Sequence, residues 1–154
     1  MRSHDLGALR TRLSRRKLTA RPAARPGKRA FASTPFARLA AFDHGGLFVG
    51  RFTGRTPWER HRHGDELVQV LDGEVDLTVL GARGPLRVTL RAGAMFVVPR
   101  GRWHRQHARS AVTLLSATPT PTDISFAADP RSGKRRGRRG RSPATTTSGD
   151  RRRG

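Results

Sequence analysis

The chain contains no cysteine, which excludes disulfide scaffolds, thiol nucleophiles and zinc ribbons, and leaves the redox compartment undetermined. The His-x-Glu plus Pro-Cys-x-x-Cys pattern of zinc deaminases is excluded with them. Long apolar runs are also missing, since nothing approaches the ~20 consecutive residues that span a bilayer. Acids are scarce: 11 Asp/Glu stand against 32 Lys/Arg in 154 residues, for a formal charge of +21. A chain of this length is one domain of ordinary size and not two.

The charge is unevenly distributed. Residues 1–30 carry ten Lys/Arg and one acid, and residues 129–154 carry ten Lys/Arg and two acids. Residues 31–128 hold twelve Arg and eight acids, so they are only mildly basic. The global charge therefore describes two arms more than it describes the middle. Ser14-Arg15-Arg16-Lys17-Leu18 superficially resembles a twin-arginine signal, but Arg21, Pro22, Arg25 and Pro26 follow it in place of an apolar segment. Secretion is not expected and a cytoplasmic location is, although the Arg- and Ser-rich composition also fits an organellar transit peptide.

Leu6, Leu9, Arg10 and Leu13 allow a short basic helix, which Pro22, Pro26 and Gly27 prevent from continuing. Residues 129–154 hold almost nothing apolar. Such a segment cannot bury enough surface to offset its ordering entropy, so both arms, 1–30 and 129–154, are expected to be disordered and not to pack on the middle.

Between them the pattern changes to period two. Val75, Leu77 and Val79 alternate with Glu74, Asp76 and Thr78, and Leu86, Val88 and Leu90 alternate with Arg87, Thr89 and Arg91. Both stretches read as half-buried strands. Leu47 to Thr53, Leu67 to Leu71, Ala94 to Val98 and Ala111 to Ala117 supply four more. Asp72-Gly73, Gly81 to Pro85 and Ala92-Gly93 are the turns between them. Six to eight short strands, with no convincing helix among them, indicate an all-β sandwich or small barrel over about residues 36–120.

Two phrases carry chemistry. Gly93, Pro99, Gly101 and His104 describe a strand that ends in a tight turn and delivers one imidazole. Earlier, Gly54, His61, His63, Glu66 and Gly73 follow one another across a second strand. In order and spacing the two phrases resemble the paired motifs of the cupin superfamily over roughly residues 36–120, with the closing Asn of the second motif replaced by Ala108. The resemblance implies a small double-stranded β-helix, or jelly-roll, barrel.

The first motif departs from the family pattern. Counting forward, His61 and His63 form its His-x-His, but only two residues then separate His63 from Glu66. Counting back from Glu66, His61 takes the second histidine's place and Glu59 the first. The backward register is preferred because the Glu66–Gly73 strand anchors the pairing, and a slip would turn side chains to the wrong face.

Both registers imply a metal site, because residues 59, 61 and 63 share one face of an extended segment. His61, Glu66 and His104 make a two-histidine, one-carboxylate set suited to Fe(II) or Mn(II), with Zn(II) or Ni(II) also admissible. Glu59, favoured over His63, would be the fourth ligand. The plainer alternatives are solvated His61 and His63 on an arginine-rich loop, a packed core His104, and a strand-edge Glu66.

Trp58, Phe96 and Trp103 would line an apolar pocket if they face the barrel mouth. Arg105 and Gln106 follow His104, although arginine is frequent enough here for that adjacency to be chance.

Three functions compete. The first is a metal-dependent enzyme acting on a small molecule, with the resemblance admitting oxidoreductase or isomerase chemistry. The second is a non-catalytic binding or sensor module, and a homodimer is compatible with either. The third assigns function to the arms: Gly133 to Arg141 would give non-specific, salt-sensitive nucleic-acid contact. No membrane association is expected.

Overall fold

The computed structural model describes residues 3–15 and 36–132. One helix, α1 (Leu6–Ser14), precedes nine strands: β1 (Phe36–Phe42), β2 (Gly45–Arg55), β3 (Trp58–His61), β4 (Glu66–Asp72), β5 (Glu74–Gly81), β6 (Gly84–Arg91), β7 (Met95–Val98), β8 (His104–Pro119) and β9 (Thr122–Ser125). All pairings are antiparallel, and the sheet curls into a β-barrel.

The long β8 is the spine of the sheet. Its first half pairs with β5 on one side, Val79 opposite His104, and with β3 on the other, Glu59 opposite His104. Its second half pairs with β4 and β2, with Leu114 lying between Val70 and Gly50. One strand thus belongs to two sets of neighbours, while among the described residues β1, β6, β7 and β9 each pair on one side only.

Period two governs what is buried. Val75, Leu77 and Val79 point inward and join Phe52, Val68, Val70, Leu90, Val98, Ala108, Val112 and Leu114 in one core. Each such side chain contributes roughly 1.5–3 kcal/mol on leaving water. Leu86 departs from the expected alternation, at 53% exposed, because it sits near the turn that joins β5 to β6.

Gly73 shows why the turn after β4 requires glycine. Its φ is +82°, and a Cβ there would lie 2.5 Å from the Ala111 carbonyl oxygen.

The boundaries differ from the sequence expectation at both ends. Within residues 1–30, Leu6–Ser14 is helical: Asp5 caps it by accepting from the Ala8 N–H at 3.0 Å, and Leu13 is buried against the barrel. This part of the arm gains a packed position from a single apolar anchor. At the other end, β9 pairs with β3 beyond residue 120, and the Ala128 carbonyl accepts from Trp58 Nε1 at 3.3 Å. The arginine-rich run from Gly133 to Arg141 lies outside the described residues. Among the described residues no helix is long and apolar enough to cross a membrane.

Candidate metal centre

The turn that follows β7 is tied to the turn that follows β3. Gly101 N–H donates to the His61 carbonyl at 2.7 Å, and Arg100 N–H donates to Asp65 Oδ1 at 2.7 Å. Gly101 sits at φ +76°, the left-handed conformation that favours glycine. These bonds lock the entry to β8 against the exit of β3. His104 is the first residue of β8 and therefore lands beside His61, with ring centroids 5.4 Å apart.

Glu66, the first residue of β4, completes the group. Its Oε2 lies 2.8 Å from His104 Nε2 and 3.4 Å from His61 Nε2. All three side chains are almost fully buried, at 2% exposed for His61, 4% for Glu66 and 1% for His104. The partly buried Glu59 faces the same space. Its carboxylate and the ligating atoms of His61 and His104 lie within 4.8 Å of one another.

His63 takes no part, because it is exposed in the turn between β3 and β4. Strand alternation is the reason. Glu59 and His61 point inward from β3, and the chain has left the strand before His63 can do so.

The remaining atoms of the site hold it in position. His104 Nδ1 donates to the Arg102 carbonyl at 3.3 Å, which leaves the Nε2 lone pair of the neutral ring aimed at the centre. His61 Nδ1 is 3.2 Å from Thr122 Oγ1, so its Nε2 is turned the same way. Thr118 Oγ1 donates to Glu66 Oε1 at 2.6 Å and lies 3.0 Å from Ser116 Oγ. Thr118 and Thr122 were not legible in the sequence, since a single threonine near a strand end carries no signal.

The electrostatics follow from crowding two acids and two imidazoles out of water. Burial would raise the pKa of Glu66, but the contacts with His104 and His61 outweigh it and hold the carboxyl at about 2. Burial would lower His104, and Glu66 outweighs that and raises it. Glu59 is pushed up, first by burial and then by the charge of Glu66.

His61 Nε2, Glu66 Oε2 and His104 Nε2 nevertheless lack a well-aligned hydrogen-bond partner. In the metal-free protein they are held together by the Glu66–His104 and Glu66–His61 contacts, and the same three buried atoms are placed to share a cation between them. Two imidazoles and one or two carboxylates are the donors that a divalent transition metal takes.

Residues 53–118 match the family model of the cupin domain. The stretch so matched is a cupin domain. Among solved structures, this cupin is similar in fold to a cupin-2 domain containing protein from Shewanella frigidimarina, at 20% identity and TM-score 0.46, covering 58% of this chain and 79% of that one. A protein from Neisseria meningitidis is 18% identical with TM-score 0.49, covering 76% and 96%. Oxalate oxidase in complex with the substrate analogue glycolate is 23% identical with TM-score 0.47, covering 53% of this chain and 46% of the oxidase. No curated protein matches the sequence.

The aromatic residues expected at the cupin mouth sit elsewhere. Trp58 precedes inward-facing Glu59 on β3, so the pleat turns it to the opposite face, where it is still buried, and Trp103 lies in the segment just before β8. Arg105 stacks on Trp58 at 4.2 Å and Arg60 on Trp103 at 4.5 Å. Phe96 packs against the core. Gln106, two residues after His104, faces inward, and its Oε1 is buried without a partner.

Proposed function

We propose that this cupin binds one divalent transition metal through His61, Glu66 and His104, with Glu59 as the fourth ligand, and acts on a small molecule there. The observation that carries this reading is the convergence of His61 Nε2, Glu66 Oε2 and His104 Nε2, all buried, with Glu66 Oε2 2.8 Å from His104 Nε2 and 3.4 Å from His61 Nε2. When bound, the metal would supply Lewis-acid or oxygen-binding chemistry.

The chain's own residues set the terms of that chemistry. The Arg102 carbonyl accepts from Nδ1 of His104 and so leaves the lone pair on Nε2, and Thr122 beside His61 Nδ1 turns the second ring so that its Nε2 faces the same point. Thr118 holds one oxygen of Glu66 and leaves the other facing the two imidazoles. The second carboxylate, Glu59, favours Fe(II) or Mn(II) over softer ions. Gln106 offers an unpaired amide oxygen on the inner face, toward a donor group of the small molecule.

A non-catalytic binding or sensor role is the second reading. It is favoured by clefts on the outer face, one lined by Arg60, Trp103 and Arg131 and one by Arg55, Trp58 and Arg105, that could hold a ligand away from the metal residues. Titrating chelator-treated protein with Mn(II) or Co(II), followed by electron paramagnetic resonance or visible absorption, tests the metal reading. Saturation with nitrogen and oxygen donors is expected, and its absence would refute the site. Turnover of a small-molecule panel by metal-loaded protein, absent from the chelated protein, would then separate enzyme from sensor.

A further inference from the structure

The outer face of the barrel carries positive charge that its acids do not neutralise. Arg87 on β6, Thr78 on β5 and Arg105 on β8 form one cross-strand row. Arg55, at the end of β2, lies opposite His107, two residues further along β8 and on the same face as Arg105. Like charges on neighbouring strands repel. Arg55 and Arg87 are both close enough for their charges to act against that of Arg105.

The acids of this face are engaged with other groups. Asp76 accepts from Thr89 at 2.7 Å and lies 3.6 Å from Arg109, while Glu74 pairs with Arg91 and Asp123 with Arg60 and Arg62. Among the described residues Arg55, Arg87 and Arg105 have no carboxylate partner.

One of the three guanidiniums is fixed in place. Arg105 lies 4.2 Å from the ring centroid of Trp58, whose indole N–H is held by the Ala128 carbonyl. A guanidinium immobilised on an aromatic face loses little further freedom when it meets an oxyanion. Arg55 and Arg105 both line a cleft of about 130 Å³, together with Thr56, Trp58, Ser125 and Phe126.

The geometry points to an anion site between Arg55 and Arg105 on the outer face of the barrel, with Arg87 at its rim, that takes a phosphate dianion, free or as a monoester. Two to three unneutralised guanidiniums match a doubly charged tetrahedral group. A carboxylate would leave positive charge uncompensated. The site lies on the opposite side of the sheet from the metal ligands and does not depend on them.

The chain has two tryptophans, so the full-length Trp103→Phe variant makes Trp58 the sole indole reporter beside Arg105. Its fluorescence, titrated with inorganic phosphate at ionic strength held constant with chloride, should change and saturate. Adding Arg55→Gln should weaken the binding about tenfold or more. An unsaturating response, or unchanged affinity in the Arg55→Gln protein, would overturn the proposal.

The arginine Nε–H resonances of the unmutated chain give a second reading that requires no variant to fold. Phosphate should shift those of Arg55, Arg87 and Arg105, and shifts confined to other arginines would overturn the assignment. A dinucleotide phosphodiester binding as tightly as inorganic phosphate would contradict the dianion preference and assign the surface to a nucleic-acid backbone instead.

Discussion

Glu59 on β3 is the direct cross-strand partner of His104 on β8. That pairing turns a carboxylate toward His61 and His104, and leaves exposed His63 in the turn. His63→Ala should therefore leave metal content unchanged. Glu59→Ala removes the proposed fourth ligand and should weaken metal retention by at least the ~10–100-fold that follows loss of a group merely supporting a ligand. Isothermal titration with Mn(II) measures both. Equal losses in His63→Ala and His61→Ala would contradict the arrangement.

Two opposing titrations should limit the stability of the metal-free protein. The Glu66 pKa is lowered from 4.5 to about 2, because imidazole contacts outweigh the effect of burial. A depressed carboxyl contributes stability above its unfolded value, lost as the pH falls toward the folded one. The His104 pKa is raised above 6.5, because Glu66 outweighs burial. That contribution is complete below pH 6.5 and lost as the pH rises through the folded value. Chelated protein should melt highest in weakly acidic solution. Bound metal, which displaces the His104 proton, should abolish the alkaline decline. Thermal melts from about pH 3 to about pH 9, with and without chelator, measure both limbs. Chelated protein that grows steadily more stable above neutrality would contradict the ion pair.

The strands that were legible in the sequence are those whose inner face is apolar. Val75, Leu77 and Val79 announce β5 by alternation alone. β3 does not announce itself, because its inward positions are Glu59 and His61 and its outward ones Trp58 and Arg60. The site inverts the hydrophobic pattern by which a strand is recognised. The same holds for the start of β8, where His104 and Gln106 face inward and only the apolar part near residues 111–117 read as strand. Motif spacing marked Glu66 and His104. The positions of Trp58 and Trp103 depended on a pleat that could be counted only once β3 was known to be a strand.

The core and the β4–β5 turn should respond differently to truncation and extension. Leu114 is fully buried at the centre of β8, so Leu114→Ala should cost about 2–5 kcal/mol. Gly73→Ala forces a Cβ into the left-handed region and against the Ala111 carbonyl, and should cost at least ~1–2 kcal/mol. Urea unfolding measures both. A neutral Gly73→Ala would mean that the turn relaxes to another conformation.

Nucleic-acid attraction should reside in the arginine-rich tail and be independent of the metal ligands. Replacing Arg135, Arg136, Arg138, Arg139 and Arg141 with Gln in the full chain should weaken oligonucleotide binding and flatten its salt dependence. Metal content should not change. Fluorescence anisotropy at two salt concentrations reads the first effect, and a strong preference for one sequence at physiological salt would contradict it.

The central claim is that His104, delivered by the turn after β7, completes a metal site with His61 and Glu66. Elemental analysis of purified full-length protein, beside His104→Ala prepared identically, tests it most directly. The account predicts about one equivalent of a divalent transition metal in the unmutated chain and near-complete loss in a His104→Ala protein that still shows the β-sheet circular dichroism of the parent. Undiminished metal in folded His104→Ala, or an unmutated chain that neither carries nor takes up such a metal, would contradict it.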